Sequence, residues 1–223
     1  SEETYKNDEY YLSNSWDKNG DIIVKDGNGL WTYWYENGQK EKEEIYQDGL
    51  LNGKWTIWYE NGQKMKEGTY KDGERNGLET SWYENGQKET EAAYKDGKED
   101  GKWITWHENG EKKSRSIYKD GNLVDEWNYS YKYYDNGQKN YEGTYKDGKQ
   151  DGEWTWWHEN EQKLEEGTYK DGTKDGLWTG WHENGQKKEE ITLKDGKEDG
   201  KWTYWDENGQ KEWERTYKDG QKH

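Results

Sequence analysis

Phenylalanine, proline and cysteine are absent from this 223-residue chain, methionine occurs once, and only 26% of the residues are hydrophobic. Without cysteine there is no disulfide and no thiolate metal site. With so little Leu, Ile and Val, a conventional thick core is excluded. A positive balance is also missing: the formal net charge is -16. No basic stripe is present to replace phosphate counterions or to meet an acidic lipid leaflet, which speaks against nucleic acid and anionic membranes as partners. No apolar run is long enough to span a bilayer. No signal peptide is visible, so bacterial cytoplasm and the extracellular space both stay open as compartments.

Low hydrophobicity with high charge is the composition of a disordered chain. Seventeen Trp and twenty Tyr argue the other way. Each such ring buries a large apolar area, so a thin aromatic layer can replace a thick core.

The aromatics recur at a fixed interval. WYENGQK stands at 34–40, 58–64 and 82–88, with WHENGEK at 106–112 and WHENGQK at 181–187. The block's Asn falls at Asn37, Asn61, Asn85, Asn109, Asn136, Asn160, Asn184 and Asn208, spaced by 24 residues except for one step of 27. The longer step carries a three-residue insertion near Asn128–Ser130 and has Tyr133 for the second Trp. Asn-Gly between alternating segments signals a hairpin with a type I′ turn, whose two central residues need the positive φ that Asn and Gly tolerate best. Residues 54–59 and 64–70 are then paired strands, and KDGERNG at 71–77 is the loop to the next hairpin. No helical period appears. The expected fold is all-β: an elongated, twisted antiparallel sheet of about eight stacked hairpins, spanning about 75 Å.

A two-residue turn sets the cross-strand pairs. Trp58 faces Met65, Trp55 faces Gly68, Trp157 faces Leu164, Trp103 faces Ser116 and Trp154 faces Gly167. A ring over a small residue covers a strand glycine. Alternation places Trp55, Ile57, Tyr59, Gly68 and Tyr70 on one face, and Thr56, Trp58, Met65, Glu67 and Thr69 on the other. Two columns are almost wholly aromatic and point opposite ways. One contains Tyr46, Tyr70, Tyr94, Tyr118, Tyr145, Tyr169 and Tyr217. The other is Trp34, Trp58, Trp82, Trp106, Tyr133, Trp157, Trp181 and Trp205. One column packs; the other is a candidate partner-binding stripe, since an apolar patch in a polar rim marks an interface. Shielding of that stripe by Lys and Glu stems is the plainer alternative.

The unit GKWTIWYENGQKMKEGTYKDG at 53–73 resembles the MORN repeat variant of bacterial proteins, including those labelled YwqK-family antitoxins. The resemblance covers about residues 29–220. It implies stacked β-hairpins in an elongated twisted sheet, acting as a non-catalytic scaffold that binds a protein partner, with toxin neutralisation as one form. A fainter similarity is to Trp- and Gly-rich glucan- and choline-binding hairpins, which keeps a glycan among the possible ligands. Residues 1–28 form a degenerate half-repeat or N-terminal cap, and 29–223 the array. The segments Thr4–Asp8 and Thr216–Gly220 are expected as open end strands, through which copies could also polymerise head to tail as a structural subunit.

The remaining chemistry is thin. His107, His158 and His182 share the Tyr59 column, in which neighbouring units lie about 10 Å apart, too far for adjacent histidines to share one metal without other ligands. Asp195–Gly200 has oxygen ligands at calcium-loop spacing, but Lys197 interrupts it and turn chemistry accounts for both Asp-Gly pairs. Carboxylates are spread evenly over the units, and no nucleophile elbow or phosphate loop is present. The Thr columns that begin at Thr32 and Thr69 suit a flat ice-binding face, or simply strand propensity. Neither an enzyme nor a cofactor is expected.

Overall fold

The computed structural model describes residues 25–223 in full and, before them, the strand backbone of 2–6, 9–16 and 22–24. The expected turn at Asp17–Gly20 and the Asn7–Asp8 end of the first T-Y-K segment lie outside the described residues. Glu2–Lys6 pairs with Glu9–Trp16, which pairs with Ile22–Lys25. At the other end, Gln221–Lys222 folds back on Tyr217–Lys218.

The described chain is all-β and antiparallel, with 22 strands and no helix. It divides into two compact units, 1–126 and 127–223. The boundary falls inside the strand Asn122–Tyr133, whose 12 residues absorb the three-residue insertion. Within each unit, successive strands pair as a meander of repeated hairpins. Leu50–Trp58 with Lys64–Lys71 is representative.

Both kinds of turn are tight, but their roles are exchanged relative to the sequence expectation. Around Asn61, the Tyr59 N–H donates to the Gln63 carbonyl at 2.8 Å and the Gly62 N–H to the Tyr59 carbonyl at 2.9 Å. Among the non-glycine residues with positive φ, none is the Asn of an Asn-Gly pair; Gly62 takes φ 83°. This is a three-residue loop, a type I turn closed by a left-handed glycine. The type I′ geometry belongs instead to Asp-Gly. Asp72 and Gly73 have φ of 50° and 85°, and Lys71 pairs directly with Glu74. The stretch 71–77 is therefore a second hairpin turn running into the next strand. Asn61 instead braces its own loop, its Oδ1 accepting the Gln63 N–H at 2.9 Å.

The three-residue loop shifts the register by one, so Trp58 pairs with Lys64. The expected pairs Trp58–Met65 and Trp157–Leu164 are replaced by Trp58–Lys64 and Trp157–Lys163. A bulge follows at Met65, after which Ile57 pairs with Lys66 and Trp55 with Gly68. One extra residue in the turn and one in the bulge cancel. The expected pairs Trp55–Gly68, Trp103–Ser116 and Trp154–Gly167 are thus present for a different reason. The bulge also puts Lys64, not Met65, on the face of Trp58 and Glu67.

The buried column is the Trp55 face. Trp55, Trp154 and Trp178 are 5%, 2% and 1% exposed. Their rings do not all lean the same way. Trp55 covers Gly68 of its own hairpin, its Nε1 3.0 Å from where a methyl would stand. Trp154 and Trp178 lie across Gly143 and Gly167 of the preceding hairpins, where a methyl would overlap the ring.

Candidate functional site

Within each unit the second aromatic column, Trp34, Trp58, Trp82 and Trp106 in 1–126 and Tyr133, Trp157, Trp181 and Trp205 in 127–223, lies on the face opposite the buried one. Lysine covers most of it. Lys40, Lys64, Lys88, Lys139, Lys163 and Lys187 sit 5.3–5.7 Å from the ring centroids of Trp58, Trp82, Trp106, Trp157, Trp181 and Trp205. Each of these lysines comes from the hairpin before its Trp, and each also pairs with a Glu three residues on, as Lys64 does with Glu67 at 2.7 Å. In an unbroken strand, residues three apart point to opposite faces; the intervening bulge brings them together. Burial pushes the Glu67 carboxyl up, but hydrogen bonds from Lys64 and Lys54 outweigh it and hold the group below its usual range.

Trp34 departs from this pattern, at 59% exposure, and Tyr133 is 42% exposed. No cation stacks on Trp34 among the described residues. It shares its face with the exposed pair Leu30 and Ile45. Each unit has a recess beside its own column, of about 430 Å³ beside Trp82 in one and about 450 Å³ beside Tyr133 in the other. The Thr series on this face is not an open plane, since Thr56, Thr80, Thr179 and Thr203 are all buried.

The Tyr59 column joins one hairpin to the next. The hydroxyls of Tyr35, Tyr59, Tyr83 and Tyr134 donate to the carbonyls of Trp58, Trp82, Trp106 and Trp157 at 2.6–2.8 Å. His158 and His182 place Nε2 3.3 and 3.0 Å from the carbonyls of Trp181 and Trp205. Histidine here takes over the tyrosine's bond, with the proton on Nε2. Burial raises the Tyr59 and Tyr83 phenols above their ordinary range, with nearby glutamates adding to it. A second series runs alongside, in which Asn37, Asn85, Asn160 and Asn184 donate from Nδ2 to the Glu carbonyl of the following turn at 2.7–2.9 Å.

The Asp-Gly side is equally occupied. The Gly73 and Gly196 N–H groups donate to Leu51 and Lys174 carbonyls. Asp175 accepts the backbone N–H of Asp195 at 3.2 Å. In the loop read as a possible calcium site, Lys218 reaches Asp199 at 2.7 Å and holds that carboxyl below its usual range. Among the described residues, no three His, Asp or Glu side chains converge as metal ligands.

One feature of the buried face was missed by the sequence reading. Where other units have Trp-Thr-Ile-Trp or a near variant, one reads Glu79-Thr80-Ser81-Trp82. Glu79 takes the place of the core Trp and Ser81 that of Ile57. The break in the motif was visible, though its face-specific meaning required the register. Two large side chains are missing, and a cavity of about 610 Å³ takes their place, lined in part by Glu79, Ser81, Arg75, Tyr94 and Trp103. Glu79 is 6% exposed and pairs with Lys66 Nζ through Oε1 at 2.6 Å. Its Oε2 accepts no hydrogen bond; Arg75 Nε stands 3.5 Å away. Arg75 donates to the Tyr94 hydroxyl at 3.2 Å. Burial raises the Tyr94 phenol, Glu79 adds to this and Arg75 opposes it.

Period, hairpin and the two turns together define a class: tandem β-hairpin repeats joined turn to turn. The MORN repeat variant profile matches residues 27–48, 51–72, 75–96, 99–120, 150–171, 174–195 and 198–219, and the chain belongs to that family. The stretch between 120 and 150, with the insertion, is folded as a hairpin but falls outside the matches. No curated protein matches the sequence. Among solved structures, the chain is similar to one described as "Crystal Structure of TcdB2-TccC3-Cdc42", at 13% identity and a TM-score of 0.18 over 94% of this chain. It spans only 14% of that structure's chain.

Proposed function

We propose that this chain is a non-catalytic scaffold that binds a protein partner of basic surface through its aromatic columns, Trp34, Trp58, Trp82 and Trp106 in one unit and Tyr133, Trp157, Trp181 and Trp205 in the other. The observation that carries the reading is Trp34, a 59% exposed indole on the same face as exposed Leu30 and Ile45. Large aromatics left in water next to apolar neighbours are the usual centre of an interface. The recesses beside Trp82 and Tyr133 offer anchor points for partner side chains. The net charge of -16 favours a basic partner and speeds its encounter. Capture of a toxin, as the antitoxin label of similar proteins suggests, is one form that such binding takes.

The test places a photo-crosslinking residue at position 34 or, as control, at Asp120 in an exposed Asp-Gly turn. Discrete protein adducts from position 34 that fade as salt rises support the reading. Equal adduct patterns from both positions would sink it.

A further inference from the structure

Trp34 differs from the tryptophans that follow it by one missing contact. Trp58, Trp82 and Trp106 in the unit 1–126, and Trp157, Trp181 and Trp205 in 127–223, are half-buried, and each has a lysine of the preceding hairpin within 5.7 Å of its ring centroid. Trp34 is 59% exposed, with no cation over it among the described residues. The reason lies in the hairpin before it. The second strand of that hairpin, Ile22–Lys25, has four residues, where the later ones, such as Lys40–Gln47, have eight. It pairs with the Trp34 strand only through Val24–Gly29 and Lys25–Asn28. Lys40–Gln47, by contrast, pairs along the next strand as far as Ile57, the neighbour of Trp58. The register changes the residue as well. Lys40 is the cross-strand partner of Trp34, and Ile22 that of Trp16. The place of the covering lysine therefore falls to Ile22, and the place of its glutamate, three residues on, to Lys25.

An indole that is capped by a cation in six other places is thus left bare in one. Its face keeps the negative quadrupole that attracts a cation. The net charge of -16 gathers cations at the surface. The glutamate that steadies each covering lysine has no counterpart in the first hairpin, so the ring itself must hold the incoming group. That favours a guanidinium over an ammonium. A guanidinium is planar, weakly hydrated and stacks on aromatic faces, whereas an ammonium is a strongly hydrated point charge. Leu30 and Ile45, exposed on the same face, offer apolar surface to the methylene stem of an arginine.

We propose that the protein partner places an arginine on Trp34, its guanidinium stacked on the indole face that the chain leaves uncovered. The proposal rests on the docking reading above and names the group that docks. The partner's arginine takes the part that Lys40 plays on Trp58 and Lys64 on Trp82.

The experiment uses the full chain with fluorotryptophan at position 34 or, as control, at position 58, and reads fluorine NMR as a local signal. Position 58 is the control because Lys40 covers Trp58. Triarginine amide is titrated at physiological ionic strength and, separately, tricitrulline amide, its neutral counterpart of similar shape. Triarginine should shift the position-34 signal saturably and bind about fivefold more tightly than tricitrulline. Adding further fluorines drains the negative face of the ring while keeping its outline, and should weaken triarginine step by step. Position 58 should respond little, and should gain the response in Lys40→Ala, which uncovers that ring. No saturable shift at position 34, equal affinity for the two peptides, or affinity indifferent to fluorination would each overturn the proposal. So would an equal response at position 58 with Lys40 in place. The crosslinks tell the two failures apart. Specific adducts at position 34 with an affinity indifferent to fluorination remove the arginine and leave the docking reading standing. A fluorination-sensitive triarginine site without specific adducts removes the docking reading alone.

Discussion

The unit 127–223 packs its buried face mainly with rings. Trp154 meets Tyr141, Tyr145, Trp156 and Tyr169 at centroid distances of 5.2–5.9 Å, and Trp178 meets Trp156 and Tyr169 at 5.8 and 5.0 Å. The unit 1–126 builds the same face with interruptions. Glu44 and Glu79 are buried in it, each paired with a lysine, at 2.7 and 2.6 Å. Both units keep the hairpins, bulges and forward bonds. The repeat is therefore held by its turns and its backbone, and the column beneath is free to be packed solid or opened. A buried ion pair adds little stability over a hydrophobic pair, so the opened version is expected to contribute less to folding than the packed one.

The largest expected effect tests the solid unit. Trp178→Ala removes a ring that is 1% exposed and should cost about 3–5 kcal/mol, measured by urea denaturation. The loss at Trp103→Ala should be visibly smaller, since that ring borders a cavity already. Equal losses would erase the distinction between the units.

Converting one pattern into the other comes next. Glu79→Trp combined with Ala92→Gly recreates the Trp–Gly pair of the neighbouring hairpin and should stabilise the chain by about 2 kcal/mol. Ala92 is the direct cross-strand partner of Glu79. Glu79→Trp alone should gain less, because the Ala92 methyl crowds the ring. A double-mutant cycle on melting temperature reads the difference.

Smaller still is the bond between hairpins. Tyr83→Phe removes the hydroxyl that donates to the Trp106 carbonyl at 2.8 Å and should cost about 1 kcal/mol. Faster hydrogen exchange in the hairpin following the mutation would localise it. On the stripe, Trp34→Ala should change stability by less than about 0.5 kcal/mol, as an exposed position does. Trp106→Ala should cost more, by losing its contact with Lys88.

The smallest effect concerns pH. Lys211 and Lys201 hold the Glu214 carboxyl down to about 2, against an ordinary 4.5. A depressed carboxylate stabilises the folded state above its unfolded value, and the contribution is lost as pH falls from about 4.5 toward about 2. Carbonyl-carbon NMR titration should show that low midpoint, and Lys211→Ala should move it upward.

The class of fold was readable from residues 29–220 because period and turn residues are local and repeat. The exchange of turn types was not. Asn and Gly together fit either turn, and the backbone separates them: Gly62 takes positive φ while Asn61 does not, and the Tyr59 N–H reaches the Gln63 carbonyl. The bulge at Met65 was equally hidden, since one extra residue leaves no mark on a strand already irregular in sequence. Its cancellation against the turn is why the Trp55–Gly68 pair was right while Trp58–Met65 was not. The lysine cover of the stripe depends on that same bulge, so the alternation that places Met65 beside Trp58 conceals Lys64. The direction of each buried ring depends on rotamer choice, as the contrast between Trp55 and Trp178 shows. Glu79 stood in plain view as a broken motif, but its burial follows only from which face is covered.

The forward bonds have a genetic corollary. Donor and acceptor stand 23 residues apart in every one, as in Tyr59 and Trp82. A recombination slip that excised residues 60–83 would set Tyr59 before Trp106 with the same spacing, and remove Glu79 with its cavity. Duplication by the same slip would copy both. Copy number in such a gene can drift by whole units without a new interface having to evolve, while each unit keeps or loses its own pocket independently.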